Sequence, residues 1–177
     1  AFISAYALIN PASRNGILEI IKVLRTKKIK VFIDPASVGA LQSIAKPEIN
    51  SWLAQANFLI MNFDEAKFLT DKNEIEPAIE TLLEQYKEIE FVVIKVGAEG
   101  AYAKRRGENL IFEKSTKQNA VDTTGAGDSF TAGFMAKYLN QLDSQDKPDI
   151  SAAVRAGNEL AGKCVAQIGA RPLVANQ

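Results

Sequence analysis

Short apolar runs rich in β-branched and aromatic residues alternate along this chain with longer stretches whose apolar positions recur every three or four residues. Residues 2–9 read as a strand, and Ile17, Ile20, Ile21 and Leu24 then fall on one helical face. Lys30-Val31-Phe32-Ile33, closing at Asp34-Pro35, reads as a second strand, followed by a helical region through Trp52 and a third apolar run over 57–61. Helical spacing returns over 64–69 and 74–86. The run 91–96 is apolar on both parities, as a strand buried on both faces must be, and predicts a central strand. Residues 101–104 and 110–113, with Gly107 between them, predict a short antiparallel hairpin. Two helices follow over 125–142 and 150–168, joined by a polar loop over 143–149. Small residues suit them to close packing: Ala132, Gly133 and Ala136 in the first, Ala152, Ala153, Ala156 and Ala161 in the second. Strands alternating with helices predict an α/β fold with a doubly wound, mostly parallel sheet flanked by helices, and residues 1–177 as one domain.

Composition narrows the chemistry. With no histidine among 177 residues there is no Ser-His-Asp triad, no Cys-His pair and no imidazole proton shuttle, so acid–base work falls to Asp, Glu, Lys or Tyr. The single Cys164 makes neither an internal disulfide nor a zinc cluster, which fits a reducing compartment and a cytoplasmic protein. Twenty-one basic residues balance 21 acidic ones, so no net field draws the chain to nucleic acid or to an anionic membrane. No apolar run approaches the roughly 20 residues a membrane helix needs. The first residue is Ala1 and an apolar run follows at once, which reads as part of a longer protein.

The stretch Val121-Asp122-Thr123-Thr124-Gly125-Ala126-Gly127-Asp128-Ser129-Phe130 carries the most chemistry. Two glycines flanking an alanine before a helical pattern let the backbone turn tightly and aim several N–H groups at one point at a helix start, where anions bind. Asp128 falls in the first helical turn, where a helix N-terminus favours the ionised carboxylate. Taken alone, the same pattern also serves as a capped helix start with a glycine turn.

Asp-Thr-Thr-Gly-Ala-Gly-Asp resembles the C-terminal signature of the ribokinase-like, or PfkB, carbohydrate kinase family. The resemblance implies that Gly125, Ala126 and Gly127 form an anion hole for the transferring phosphoryl group and that Asp128 accepts the proton of the substrate hydroxyl. Asn62-Phe63-Asp64-Glu65 matches the family's Asn-x-x-Glu motif, implying that Asn62 and Glu65 organise Mg2+ and its waters; by itself the same tetrapeptide reads as a helix cap. Lys95-Val96-Gly97-Ala98-Glu99-Gly100 resembles the nucleotide-binding turn, which implies ATP contacts at Lys95, Gly97 and Gly100, joined by Thr123; a plain β-turn is the other reading. Gly157-Asn158 leads to Gly169-Ala170-Arg171-Pro172, similar to the family's closing turn, with Asn158 on the adenine side. Asp122 and the carbonyls of Thr124 and Gly169 match a monovalent cation position, K+ in type.

Two motifs are set aside. Gly157 to Cys164 comes within one residue of the P-loop pattern, but Cys164 stands where magnesium needs a hydroxyl, and Ala153, Leu160, Cys164 and Ile168 continue one helical stripe. Gly125 and Gly127 are followed by Phe130 where a dinucleotide fingerprint needs a third glycine. Lys27-Lys28 and Arg105-Arg106 read as solvated charge, and Trp52 as core. Asp34-Pro35-Ala36-Ser37 departs from the family's commoner Asp-x-Asn.

The resemblance implies an ATP-dependent kinase that phosphorylates a hydroxyl of a sugar or nucleoside, with the N-terminal lid region absent and a homodimer admitted. The alternative is a non-catalytic nucleotide-binding or regulatory fragment lacking the substrate site and lid.

Overall fold

Four of the apolar runs open on phenylalanine and close on a polar side chain, and each becomes a strand: β1 (Phe2–Ser4), β2 (Phe32–Asp34), β3 (Phe58–Asn62) and β4 (Phe91–Lys95). In the computed structural model of the protein, which describes residues 1–116, 118–142 and 147–172, these are followed by β5 (Gly100–Arg105) and β6 (Ile111–Lys114). The six lie in sequence order in one mixed sheet. Eight helices flank it among the described residues: α1 (Tyr6–Ile9), α2 (Pro11–Thr26), α3 (Val38–Leu41), α4 (Lys46–Leu53), α5 (Phe63–Thr70), α6 (Ile75–Gln85), α7 (Ala126–Leu142) and α8 (Ile150–Val165). None is long and apolar enough to cross a membrane. The chain divides into two compact units, Ala1–Ile94 with Lys104–Leu110, and Lys95–Ala103 with the described part of Ile111–Gln177.

In the first unit β1, β2 and β3 pair in parallel, with Phe2 opposite Phe32 and Phe32 opposite Phe58. Equal register puts these side chains on one face of the sheet. The rings of Phe32 and Phe58 lie 4.3 Å apart, and Phe91 of β4 continues the row, stacked 4.4 Å from Phe58. All three are buried, each contributing about 1.5–3 kcal/mol by leaving water. Phe2, on the edge strand, ends the row and stays 42% exposed. Trp52 is core, as its residue type predicts.

The structure corrects two sequence expectations here. The run 2–9 is not one strand: after Ala5 N–H donates to Asp34 O, Leu8 and Ile9 N–H both donate back to Ala5 O and the chain winds into α1. From Ala5 on, the buried positions are Ala5 and Leu8, three apart, which is helical spacing, while buried Ile3 belongs to the strand before them. Asn10 then caps α2, its Oδ1 accepting from Ala12 N–H with Pro11 at the first helical position. Arg105-Arg106 is not merely solvated charge either. Arg106 donates to the carbonyls of Tyr86 and Ile89, and the guanidinium of Arg105, its side chain mostly covered, lies over the Phe91 ring.

In the second unit the predicted hairpin forms, β5 and β6 pairing antiparallel with Tyr102 opposite Phe112 and their rings 4.5 Å apart. Helices α7 and α8 pack closely through small residues: a Cβ on Gly133 would meet Ala156 O at 2.6 Å. The near-P-loop stretch lies wholly inside α8, as its helical stripe predicts. That stripe ends sooner than expected, because α8 stops at Val165 and Ile168 is 86% exposed in the turn beyond it. Of the predicted loop over 143–149, residues 143–146 lie outside the described residues.

Candidate active site

Asn62 and Glu65 belong to the first unit, at the junction where β3 passes directly into α5. They form a complete capping box: Asn62 Oδ1 accepts from Glu65 N–H at 2.9 Å, and Glu65 Oε2 accepts from Asn62 N–H at 2.8 Å. A third bond runs from Asn62 Nδ2 to Glu65 Oε1 at 2.6 Å. Glu65 is only 3% exposed, a buried carboxylate set by its neighbours at a helix start, while Asn62 faces solvent. The helix-cap reading of this motif is therefore realised. Among the described residues no group of three or more His, Cys, Asp or Glu side chains converges to hold a metal ion. A magnesium ion would accordingly be held mainly by the phosphates it accompanies, with protein carboxylates acting on its waters.

The other candidates belong to the second unit, where the segment before α7 is tied to the end of α8. Val121 N–H donates to Val165 O at 2.7 Å. Asp122 clamps two backbone amides, Oδ1 accepting from Thr124 N–H at 2.9 Å and Oδ2 from Gly169 N–H at 3.0 Å. The bond from Thr124, followed by that from Gly169, holds its carboxyl below the usual carboxylate value of 3.8. The two carbonyls of the same residues turn toward one sulfur: Cys164 Sγ lies 3.4 Å from Thr124 O and 3.9 Å from Gly169 O. Thr124 and Gly169 are thus braced at both N–H and C=O. The donor set proposed for a monovalent cation, Asp122 with these two carbonyls, is all oxygen, which suits a hard cation.

The brace fixes the turn that follows. Thr123 O accepts from Ala126 N–H at 3.2 Å and Gly125 O from Ser129 N–H at 2.9 Å, closing the start of α7. Gly125 adopts φ +75°, and a Cβ there would lie 2.3 Å from Ala170 O, so only glycine fits. Thr123 O takes the Ala126 N–H; the amides that follow it in the first turn of a helix lack intrahelical partners, the arrangement that attracts anions. Asp128 sits in that first turn and is solvent-exposed. Lys95, half-buried at the end of β4, reaches the same place: its Nζ stands 3.5 Å from the position a Cβ on Gly127 would take.

Gly97 (φ +63°) opens a 3-10 turn that Gly100 (φ +133°) ends, with Val96 N–H donating to Gly100 O at 2.9 Å. Gly100 admits only glycine, since a Cβ there would lie 2.1 Å from Glu113 O, while the φ of Gly97 favours glycine without a clash; a tight turn alone would ask the same. Asn158 is buried, and its amide donates to Glu113 O at 2.9 Å and Lys114 O at 3.2 Å, tying α8 to β6. Its amide donors are therefore engaged by backbone. Thr123 is exposed beside the turn. Sequence reasoning did not foresee Cys164 in the brace, nor the reach of Lys95 to Gly127. Neither leaves a local signal, since Cys164 lies 40 residues from Thr124 and Lys95 lies 32 from Gly127.

This architecture is the fold of sugar and nucleoside kinases. An adenosine kinase from Sinorhizobium meliloti superposes with a TM-score of 0.85 at 22% identity, over 98% of this chain and 50% of that one. A fructokinase from Vibrio cholerae, solved with fructose, ADP and a calcium ion, superposes with a TM-score of 0.79 at 23% identity, over 96% and 55%. The chain belongs to the pfkB family of carbohydrate kinases, whose pattern it matches over residues 2–176. An uncharacterized sugar kinase from Archaeoglobus fulgidus is 42% identical over 83 residues, 47% of this chain and 30% of that protein. The chain spans about half the length of the solved kinases it matches.

Proposed function

We propose that the protein acts as an ATP-dependent kinase, moving the γ-phosphoryl group to a hydroxyl of a sugar or nucleoside, with Asp128 as the base. The observation that carries this is the placement of Asp128 in the first turn of α7, directly after a glycine turn braced by Asp122 and Cys164. The neighbours support it by name: one phosphorylates adenosine, and another was solved with fructose, ADP and a metal ion.

ATP with magnesium supplies the transferable phosphoryl group and partly neutralises its charge. The chain's own contribution is position and charge. The Gly125-Ala126-Gly127 turn presents the N–H groups that it does not use itself, Ala126 N–H being taken by Thr123 O, to the oxygens of the phosphoryl in flight. Asp128 holds the acceptor hydroxyl by hydrogen bond and takes its proton as that oxygen forms its bond to phosphorus. Asp122 keeps the turn rigid, and with the Thr124 and Gly169 carbonyls is the proposed seat of K+. Glu65, set by Asn62, is the proposed partner of the magnesium waters.

In the natural full-length protein, Asp128→Asn is expected to leave the ATP dissociation constant within about threefold while lowering kcat by about 100-fold or more, the scale of general-base catalysis. Calorimetry and turnover on a panel of sugars and nucleosides measure the two; an Asn variant with near-parental turnover removes Asp128 from the role.

A further inference from the structure

We infer that Lys95 is a catalytic electrophile of this site, its ammonium bonding a non-bridging oxygen of the phosphoryl group in transfer and not merely lining the nucleotide turn. This rests on the kinase reading above and gives one residue of it a specific task.

The argument begins at Gly127. Its φ is not positive and it lies inside α7, so nothing in the backbone demands glycine there. Alanine is the better helix former. Apart from the neighbouring residues and the backbone of α7 itself, the one described atom within 4 Å of the space a Cβ would fill is Lys95 Nζ, at 3.5 Å. The surface of the first helical turn is thus open, with an ammonium at its border. Lys95 comes to this border as the last residue of β4, with its stem half-buried. The helix start, the ammonium and the Asp128 carboxylate of the same turn then supply the three groups that phosphoryl transfer needs: amide donors, a fixed positive charge and a base.

The step balances with Lys95 protonated throughout. A bond forms from the acceptor oxygen to the γ-phosphorus, and the bond to the ADP oxygen breaks with its electrons remaining on ADP. The acceptor proton goes to Asp128. The ammonium acts on charge that builds on the equatorial oxygens, so its effect is greater on the transition state than on bound ATP.

Two variants of the full-length protein test this, with CD melting to verify that each folds. Lys95→Met is expected to bind ADP with magnesium within about threefold of the parent and to lose about 100- to 1,000-fold in kcat, the scale of removing one preorganised donor from such a hole. It is also expected to lose the tighter binding that aluminium fluoride confers on ADP in the presence of an acceptor, a mimic of the planar phosphoryl. Lys95→Arg is expected to recover part of both. Gly127→Ala is expected to melt no lower than the parent yet to lose turnover, because its methyl group enters the space where the ammonium meets phosphate. The inference is overturned if Lys95→Met keeps kcat within threefold, or if ADP binding falls as far as kcat, which would make Lys95 a nucleotide contact only. A parent with neither ADP binding nor turnover on the panel removes the kinase reading itself, and the role of Lys95 with it.

Discussion

Ala36 is the residue at which local preference and fold disagree most. It follows Asp34-Pro35 at the end of β2 with φ +79°, while Asp34 Oδ1 accepts from its N–H at 2.9 Å. An alanine held there carries strain on the order of 1 kcal/mol, whereas asparagine tolerates the left-handed region. Ala36→Asn is therefore expected to raise the melting temperature by about 2–4 °C, measured by CD. An unchanged or lowered midpoint would mean that the surroundings favour the methyl group. The same residue shows what a sequence reveals. That Asp34-Pro35-Ala36-Ser37 departs from Asp-x-Asn is visible in the letters, but the positive φ that gives the departure a cost is not. Likewise the seven residues from Asp122 to Asp128 announce the turn and its proposed base because their chemistry is local. The brace by Cys164 and the reach of Lys95 depend on where distant backbone passes, which periodicity does not encode.

Among elements, those with both a period and a cap were legible. Strands β2 to β4, the β5/β6 hairpin and helices α7 and α8 fall where apolar spacing puts them, because burial of one face decides each. The opening run misled because eight residues broken only by Ser4 read as a strand, while the decisive information was the Asn10-Pro11 cap behind them. Helix α5 presents the opposite case, since its cap is so complete that it competes with the functional reading of the same residues. The two separate by substitution. Asn62→Ala is expected to cost about 1 kcal/mol of stability by removing the side-chain acceptor for Glu65 N–H, and Asn62→Ser to restore most of it, because a hydroxyl caps nearly as well. Urea unfolding measures both; equal stability of Ala and Ser variants would show that the box does not hold the helix. If Asn62→Ser regains stability without regaining magnesium-dependent turnover, the amide has a second task beyond the cap.

At the scale of the whole molecule, stability is expected to decline in alkali. Burial pushes the Tyr86 phenol from its ordinary value near 10 up to about 12, while its Oη donates to Asn50 Oδ1 at 2.8 Å. Below pH 10 the phenol is protonated in both folded and unfolded chains and its contribution is complete; between about 10 and 12 only the unfolded chain ionises, and stability falls. Lys104 adds to this. Glu80 first, and then Glu76, hold its ammonium above the ordinary 10.5, so its stabilisation is present below that value and disappears as pH rises through the folded one. Urea midpoints are expected to stay level from neutral pH to about 10 and then decline, and Tyr86→Phe to decline less steeply over the same interval. A parent and variant that decline in parallel would put the loss elsewhere.

The row of phenylalanines at the strand starts has one more meaning. Ser4, Asp34, Asn62 and Lys95 occupy the opposite ends of the same four strands, so aromatic ring and polar side chain are written on different letters of each short word: FIS, FID, FLIMN, FVVIK. The first letters can therefore be repacked without touching the polar ends, whereas a change at Asn62 or Asp34 also gives up a bond that fixes the chain after its strand.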